Sequence, residues 1–181
     1  IISRSGTEPA QPFNVSVKIS NTGQYPEALF DTCVEIGEKI YHVTGFFSNF
    51  EADNGGLTVT GSVWDWGEPT SGPMAAYSGA KLWATNLAGL YPAGTKTQLT
   101  SPAITVPTDG DLTFWHWWDT EESYDGGNVK ISTDSGATWS LITPLSGYTG
   151  TANTANPLYP EPIFSGHEQG FWEQMTFDLA A

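Results

Sequence analysis

Glycine-bearing turn signals cut this chain into stretches too short for helices. They are Asn54-Gly55-Gly56, Thr70-Ser71-Gly72-Pro73, Pro107-Thr108-Asp109-Gly110, Asp125-Gly126-Gly127 and Asp134-Ser135-Gly136. Between and around them run segments rich in Thr, Val, Ile, Leu, Phe and Trp: 57–63, 80–85, 98–101, 111–118, 127–132, 138–142 and 171–179. Short strands at this spacing predict an all-β chain, an antiparallel β-sandwich of the jelly-roll kind. The one cysteine, Cys33, excludes an internal disulfide and reads as a small buried hydrophobe. Apolar packing has to hold the fold together.

The N-terminal part reads differently. Residues 1–12, with Gly6, Pro9 and Pro12, suggest a leader or linker. Phe13, Val15, Val17 and Ile19 then alternate with Asn14, Ser16, Lys18 and Ser20, the pattern of a half-buried strand. Two further strands are expected over 29–36 and 39–43, around Gly37. Residues 13–44 therefore predict a partial set of immunoglobulin-like strands, too few to close a sandwich. They pack on a neighbour, are completed by another chain, or join the main sheet. The jelly roll is expected over 45–181. Within it, 146–168 lacks periodicity and predicts a long surface loop.

Charge narrows the partners. Twenty acidic residues stand against six basic ones, a formal net charge of −14. A phosphate backbone or an anionic bilayer surface needs Lys and Arg to meet it, so nucleic acid and membrane are excluded as partners. No apolar run is long enough to span a bilayer. No charged segment followed by an apolar one opens the chain, so any signal peptide is gone or was never present. Cations, neutral glycans and proteins remain. A chain poor in Lys and rich in Thr, Trp and Gly leans towards an extracellular setting.

The acids fall in two groups. Asp119, Glu121, Glu122 and Asp125 follow one aromatic strand and precede Gly126-Gly127. Carboxylates this close repel one another unless water or a cation lies between them. Calcium, with its 6–8 oxygen ligands and tolerance of irregular loops, is the ion such a loop suits. The Asp-x-Asn-x-Asp-Gly order of an EF-hand is missing. The other group is Glu51 and Asp53, ahead of Asn54-Gly55-Gly56, with Asp178 near the C-terminus. First and last strands of a jelly roll are often neighbours, which would bring these three together. Asp178 lies between Phe177 and Leu179 and faces away from both by the period of two.

Phe114, Trp115, His116, Trp117 and Trp118 form one run whose two faces are both apolar, the mark of a central strand covered on both sides. Trp64, Trp66 and Trp115 are candidate stacking platforms for a sugar. Filling the core is the competing role for these rings. His42, His116 and His167 are dispersed, so no zinc site is expected. No nucleophile elbow or phosphate loop is present, and no catalytic residue is assigned. The run from Ser132 to Trp139 has the Ser-x-Asp-x-Gly-x-x-Trp order of an Asp-box. It predicts a hairpin in which Asp134 accepts backbone N–H groups and Gly136 supplies a permissive dihedral.

Several motifs occur in one order: Asn49-Phe50-Glu51 with Asp53-Asn54-Gly55-Gly56, Ser78-Gly79-Ala80-Lys81-Leu82-Trp83, and Leu99-Thr100-Ser101-Pro102. Phe114-Trp115-His116-Trp117, Asp119-Thr120-Glu121, Tyr124-Asp125-Gly126-Gly127 and Gly170-Phe171-Trp172 follow. Together they resemble the MAM-like jelly-roll modules of secreted bacterial proteases of the immune inhibitor A and bacillopeptidase F families, and of related surface proteins. The resemblance implies a non-catalytic module stabilised by Ca²⁺. It implies as metal ligands Glu51, Asp53, backbone oxygens at Ser78 or Lys81, and Asp178, with Asp119, Glu121 and Asp125 kept as a second site. The expected function is binding or adhesion to a protein or glycan within a secreted or cell-surface protein. A filament or surface-layer subunit, self-assembled by donation of the strand over 13–20, is the alternative. A carbohydrate-binding module is the third.

Overall fold

The computed structural model describes residues 33–36, 39–42, 46–61, 63–106, 110–166 and 171–179. The linker over 1–12 and the strand over 13–20 lie outside them, and with them the assembly reading.

Among the described residues there are twelve strands and no helix. β1 (Cys33–Ile36) pairs with β2 (Lys39–His42). β3 (Thr58–Gly61) pairs with β6 (Thr97–Thr100), and β4 (Trp64–Gly67) with β5 (Leu82–Thr85). β7 (Asp111–His116) pairs with the last strand, β12 (Glu173–Asp178). β8 (Lys130–Ile131) pairs with β9 (Ser140–Leu141), and β10 (Gly150–Thr151) with β11 (Pro162–Ile163). Every pair is antiparallel, as an all-β chain of turn-linked strands requires.

The β7–β12 pair builds the core. Met175 faces Phe114 in register and Phe177 faces Leu112, and Met175 and Phe177 are fully buried. Phe114 stacks on Phe177 with ring centroids 5.7 Å apart. Trp118 and Phe164 complete the buried cluster, with Val129, Ile142, Tyr148 and Leu179 packed around it. Strand β7 is covered differently from expectation. Leu112, Phe114 and His116 alternate with exposed Asp111, Thr113 and Trp115, so the core lies on one face only.

His116 sits inside this aromatic cluster, with centroids 4.8 Å from Trp118 and 4.9 Å from Phe164. Its Nδ1 is buried and has no hydrogen-bond partner among the described residues. Burial disfavours the imidazolium and pushes the pKa down to about 4.

Of the surface loop expected over 146–168, the described residues 146–166 are exposed in part and also send side chains into the core. Ile163 and Phe164 are buried, and Phe164 exchanges backbone hydrogen bonds with Gly127 at 2.8 and 3.2 Å. The bridge demands glycine at 126. There φ is +151° and a Cβ would lie 2.3 Å from the Phe164 carbonyl oxygen. Asn156 and Ser165, both buried, replace periodic side chains as anchors. Strand β4 was also missed. Its Trp64-Asp65-Trp66 alternation is cut short by Gly67, too brief to read as a strand.

The Asp-box hairpin forms with the expected Asp134 bonds, while Trp139, expected to pack beneath the turn, is exposed. Thr138 donates its hydroxyl and its N–H to Asp134, and Ser132 donates its hydroxyl. These bonds, those from Thr138 foremost, hold the Asp134 pKa down at about 2.

Candidate functional site

The loop before β3 is folded by its own polar side chains. Ser48 Oγ accepts the Phe50 N–H and Asn49 Oδ1 the Glu51 N–H. Asp53 Oδ1 accepts from Gly55 N at 2.8 Å, and Asn54 Oδ1 from Gly56 N at 2.9 Å. Two indoles anchor it from β4 and β5. Trp66 Nε1 donates to Phe50 O at 2.8 Å and Trp83 Nε1 to Asn54 O at 3.1 Å. Phe47, Ser48, Asn49, Phe50 and Asp53 are among the residues lining a cavity of about 240 Å³.

Glu51 leaves this loop to meet the segment ahead of β5. Its Oε1 accepts from the backbone N–H groups of Ala80 at 3.0 Å and Lys81 at 2.8 Å. The Lys81 ammonium donates to the Glu51 carbonyl at 3.0 Å and lies 4.7 Å above the Trp66 ring. Gly79 makes the approach possible, since a Cβ there would stand 2.4 Å from Glu51 Oε1. Glu51 and the Gly79-Ala80-Lys81 stretch, about thirty residues apart in sequence, are thus drawn to one place. The visible contact is carboxylate to N–H.

Asp178 lies elsewhere in the strand pairing. It is exposed at the end of β12, opposite Asp111. The last strand pairs with β7, and β3, the first strand after the Glu51 loop, pairs with β6. The expected neighbourhood of first and last strands is therefore not formed by these pairs. Among the described residues no three His, Cys, Asp or Glu side chains are grouped so as to hold a metal ion.

The second acidic loop is held from behind by the 146–166 segment. Ser165 Oγ donates to Asp125 O at 2.7 Å and accepts the Ser123 N–H at 2.7 Å, while Asn156 Nδ2 donates to Tyr124 O at 2.9 Å. Sequence reasoning missed both anchors, because a buried Ser or Asn in an aperiodic segment looks like any loop residue. Asp119, Thr120, Glu121 and Asp125 line an open cavity of about 430 Å³ with Leu90 and Tyr91. Tyr91 donates its hydroxyl to Asp125 Oδ2 at 2.9 Å. Burial, then that bond, raises the Tyr91 pKa.

Of the three candidate sugar platforms, Trp64 and Trp66 are half-buried. The Trp64 indole nitrogen is enclosed, and that of Trp66 is engaged by Phe50. The Trp66 ring lies under the Lys81 ammonium. Trp115 is 38% exposed, and Tyr77 lies flat on it with centroids 3.5 Å apart and planes at 12°. Trp172 meets Tyr77 edge-on at 6.4 Å, and neighbouring Phe171 is exposed. Tyr77 was not singled out from sequence, and Trp172 only as part of the Gly170-Phe171-Trp172 motif.

No family model and no solved structure matches the chain. The chain is similar to bacillopeptidase F of Bacillus subtilis (strain 168), at 31% identity over 127 residues. The match takes in 64% of this chain and 9% of that protein, so the chain spans under a tenth of the curated relative's length. No helix among the described residues is long and apolar enough to cross a membrane.

Proposed function

We propose that this chain is a non-catalytic, extracellular β module that serves binding or adhesion within a larger secreted or cell-surface protein and is stabilised by Ca²⁺. The similarity to a stretch of bacillopeptidase F supports the module reading. The observation that carries the metal reading is Glu51 seated on the Ala80–Lys81 backbone. It joins the two segments that the resemblance places around an ion.

The donors that the resemblance implies are oxygens: the carboxylates of Glu51 and Asp53 and the carbonyls of Ser78 or Lys81, with Asp178, which lies apart opposite Asp111, not grouped with them. Such a set suits a hard cation. When bound, the ion supplies a cross-link between loop and strand that the unfolded chain lacks, which raises stability by mass action. The Lys81 ammonium already places a positive charge on the Glu51 carbonyl, so a bound cation shares the loop with it. Metal analysis with thermal unfolding in Ca²⁺ and in EGTA tests the reading. Bound calcium, a Tm lowered by EGTA, and loss of that difference in Glu51→Gln are expected. An unchanged Tm with no bound calcium overturns it.

A glycan-binding role is favoured by one observation, the exposed Tyr77–Trp115 stack with Trp172 at its edge. Aromatic faces receive the C–H faces of sugars, and Tyr77 presents the outer ring. Glycan-array binding that is lost in Tyr77→Ala is the expected result, and no binding to neutral polysaccharides overturns it.

A further inference from the structure

Asn54-Gly55 is the one Asn-Gly pair in the chain. A backbone nitrogen that follows Asn can attack the side-chain Cγ and close a five-membered imide, and Gly offers no Cβ to obstruct the approach. In this loop the groups that would react are engaged in hydrogen bonds. Gly55 N–H donates to the Asp53 carboxylate at 2.8 Å, which polarises the nitrogen and gives its proton a path out. Gly56 N–H donates to Asn54 Oδ1 at 2.9 Å, where negative charge develops during the attack. Asn54 Nδ2, the leaving nitrogen, has a long 3.4 Å bond to Leu57 O and little to restrain it. The Trp83 indole fixes the Asn54 carbonyl, so the backbone is ordered before reaction.

We propose that Asn54 is a self-modification site, at which the folded loop drives deamidation with Asp53 as the residue that activates the Gly55 amide. A bond forms between Gly55 N and Asn54 Cγ, and the bond from Cγ to Nδ2 breaks. The Gly55 proton passes through solvent to the departing nitrogen, which leaves as ammonia. Water then opens the imide. Attack at Cγ yields Asp, and attack at the main-chain carbonyl yields isoaspartate. Oxidation states do not change. Each product adds one negative charge beside Glu51 and Asp53. The isoaspartyl form also lengthens the main chain at Asn54 and withdraws the carbonyl that Trp83 holds.

The test incubates the full chain at neutral pH with EGTA, in folded form and in urea, and follows Asn54, Asn86 and Asn128 by peptide mapping. EGTA keeps the outcome independent of the calcium reading, which fails or stands on the thermal unfolding alone. Expected are conversion at Asn54 several-fold faster in the folded chain than in urea, isoaspartate detected by enzymatic methylation, and a several-fold slower rate in Asp53→Ala. Conversion in the folded chain no faster than in urea overturns the proposal whether or not that variant folds. An unchanged rate in folded Asp53→Ala overturns the role of Asp53.

Discussion

Glu51 and Lys81 hold each other twice. The Lys81 backbone N–H donates to Glu51 Oε1 at 2.8 Å, and the Lys81 ammonium donates to the Glu51 carbonyl at 3.0 Å. One side chain from each residue reaches the main chain of the other, so the clasp ties the loop ahead of β3 to the edge of β5. Removing the carboxylate leaves the Ala80 and Lys81 N–H groups to water. Glu51→Ala should cost about 1–2 kcal/mol. Glu51→Gln, which keeps an acceptor oxygen, should cost less. Urea unfolding of both variants in EGTA measures the clasp without any contribution from a metal.

Gly79 gives a second handle on the same contact. It sits at φ +68°, where a side chain is strained, and its Cβ would meet the Glu51 carboxylate. Gly79→Ala should destabilise by about 1–3 kcal/mol. Part of that cost is backbone strain and part is collision with Glu51. In a Glu51→Ala background the collision is gone and the strain persists. The two substitutions should therefore be less than additive, and a double-mutant cycle reads the difference. Full additivity would show that Gly79 is kept for its dihedral alone.

Phe164 tests whether the 146–166 segment is structural. It is 3% exposed and packs on Trp118, His116 and Tyr148. Phe164→Ala leaves a cavity among rings and should cost about 3–5 kcal/mol. A surface loop would lose well under 1 kcal/mol for the same change. Denaturant unfolding separates the two outcomes.

The segment also marks where sequence reasoning stopped. Strands β3, β5, β6, β7, β8, β9 and β12 were legible because each is a β-rich run bounded by a Gly turn. The Asp-box turn was legible because its bonds are local, from Ser132 and Thr138 to Asp134. The resemblance linked Glu51 to Lys81 as ligands of one ion, whereas the contact seen is carboxylate to N–H, and nothing in local spacing links positions so far apart. Strands β10 and β11 are two residues each and carry no period. Ile163 pairs with Gly150 and Phe164 with distant Gly127, partners that no local period signals. The one-sided burial of β7 was hidden for a related reason. Trp115 is apolar enough to read as core, yet it stays partly exposed with Tyr77 stacked on it.

His116 makes the fold acid-sensitive in a window of its own. Its pKa is about 4 when folded and near 6.5 in an exposed chain. Between these values the unfolded state binds more protons, so stability rises with pH. The contribution is fully present above 6.5 and is lost as the pH falls to about 4, and it amounts to about 3 kcal/mol. The groups packed around the ring, Phe114, Trp118 and Phe164, carry no charge to offset an imidazolium. Glu173, opposite in the β12 register, is exposed. Two carboxylates act at lower pH. Asp134, held at about 2 by Thr138 and Ser132, and Glu161, lowered by Lys130 and Asn128, add stability that goes only as the pH falls below the ordinary carboxylate values. His116→Phe keeps an aromatic ring and removes the buried Nδ1. At neutral pH it should change stability by less than about 1.5 kcal/mol. Urea unfolding across the window should show the native chain losing stability on acidification and the variant holding a nearly flat profile. Parallel slopes for the two proteins would exclude His116 as the source.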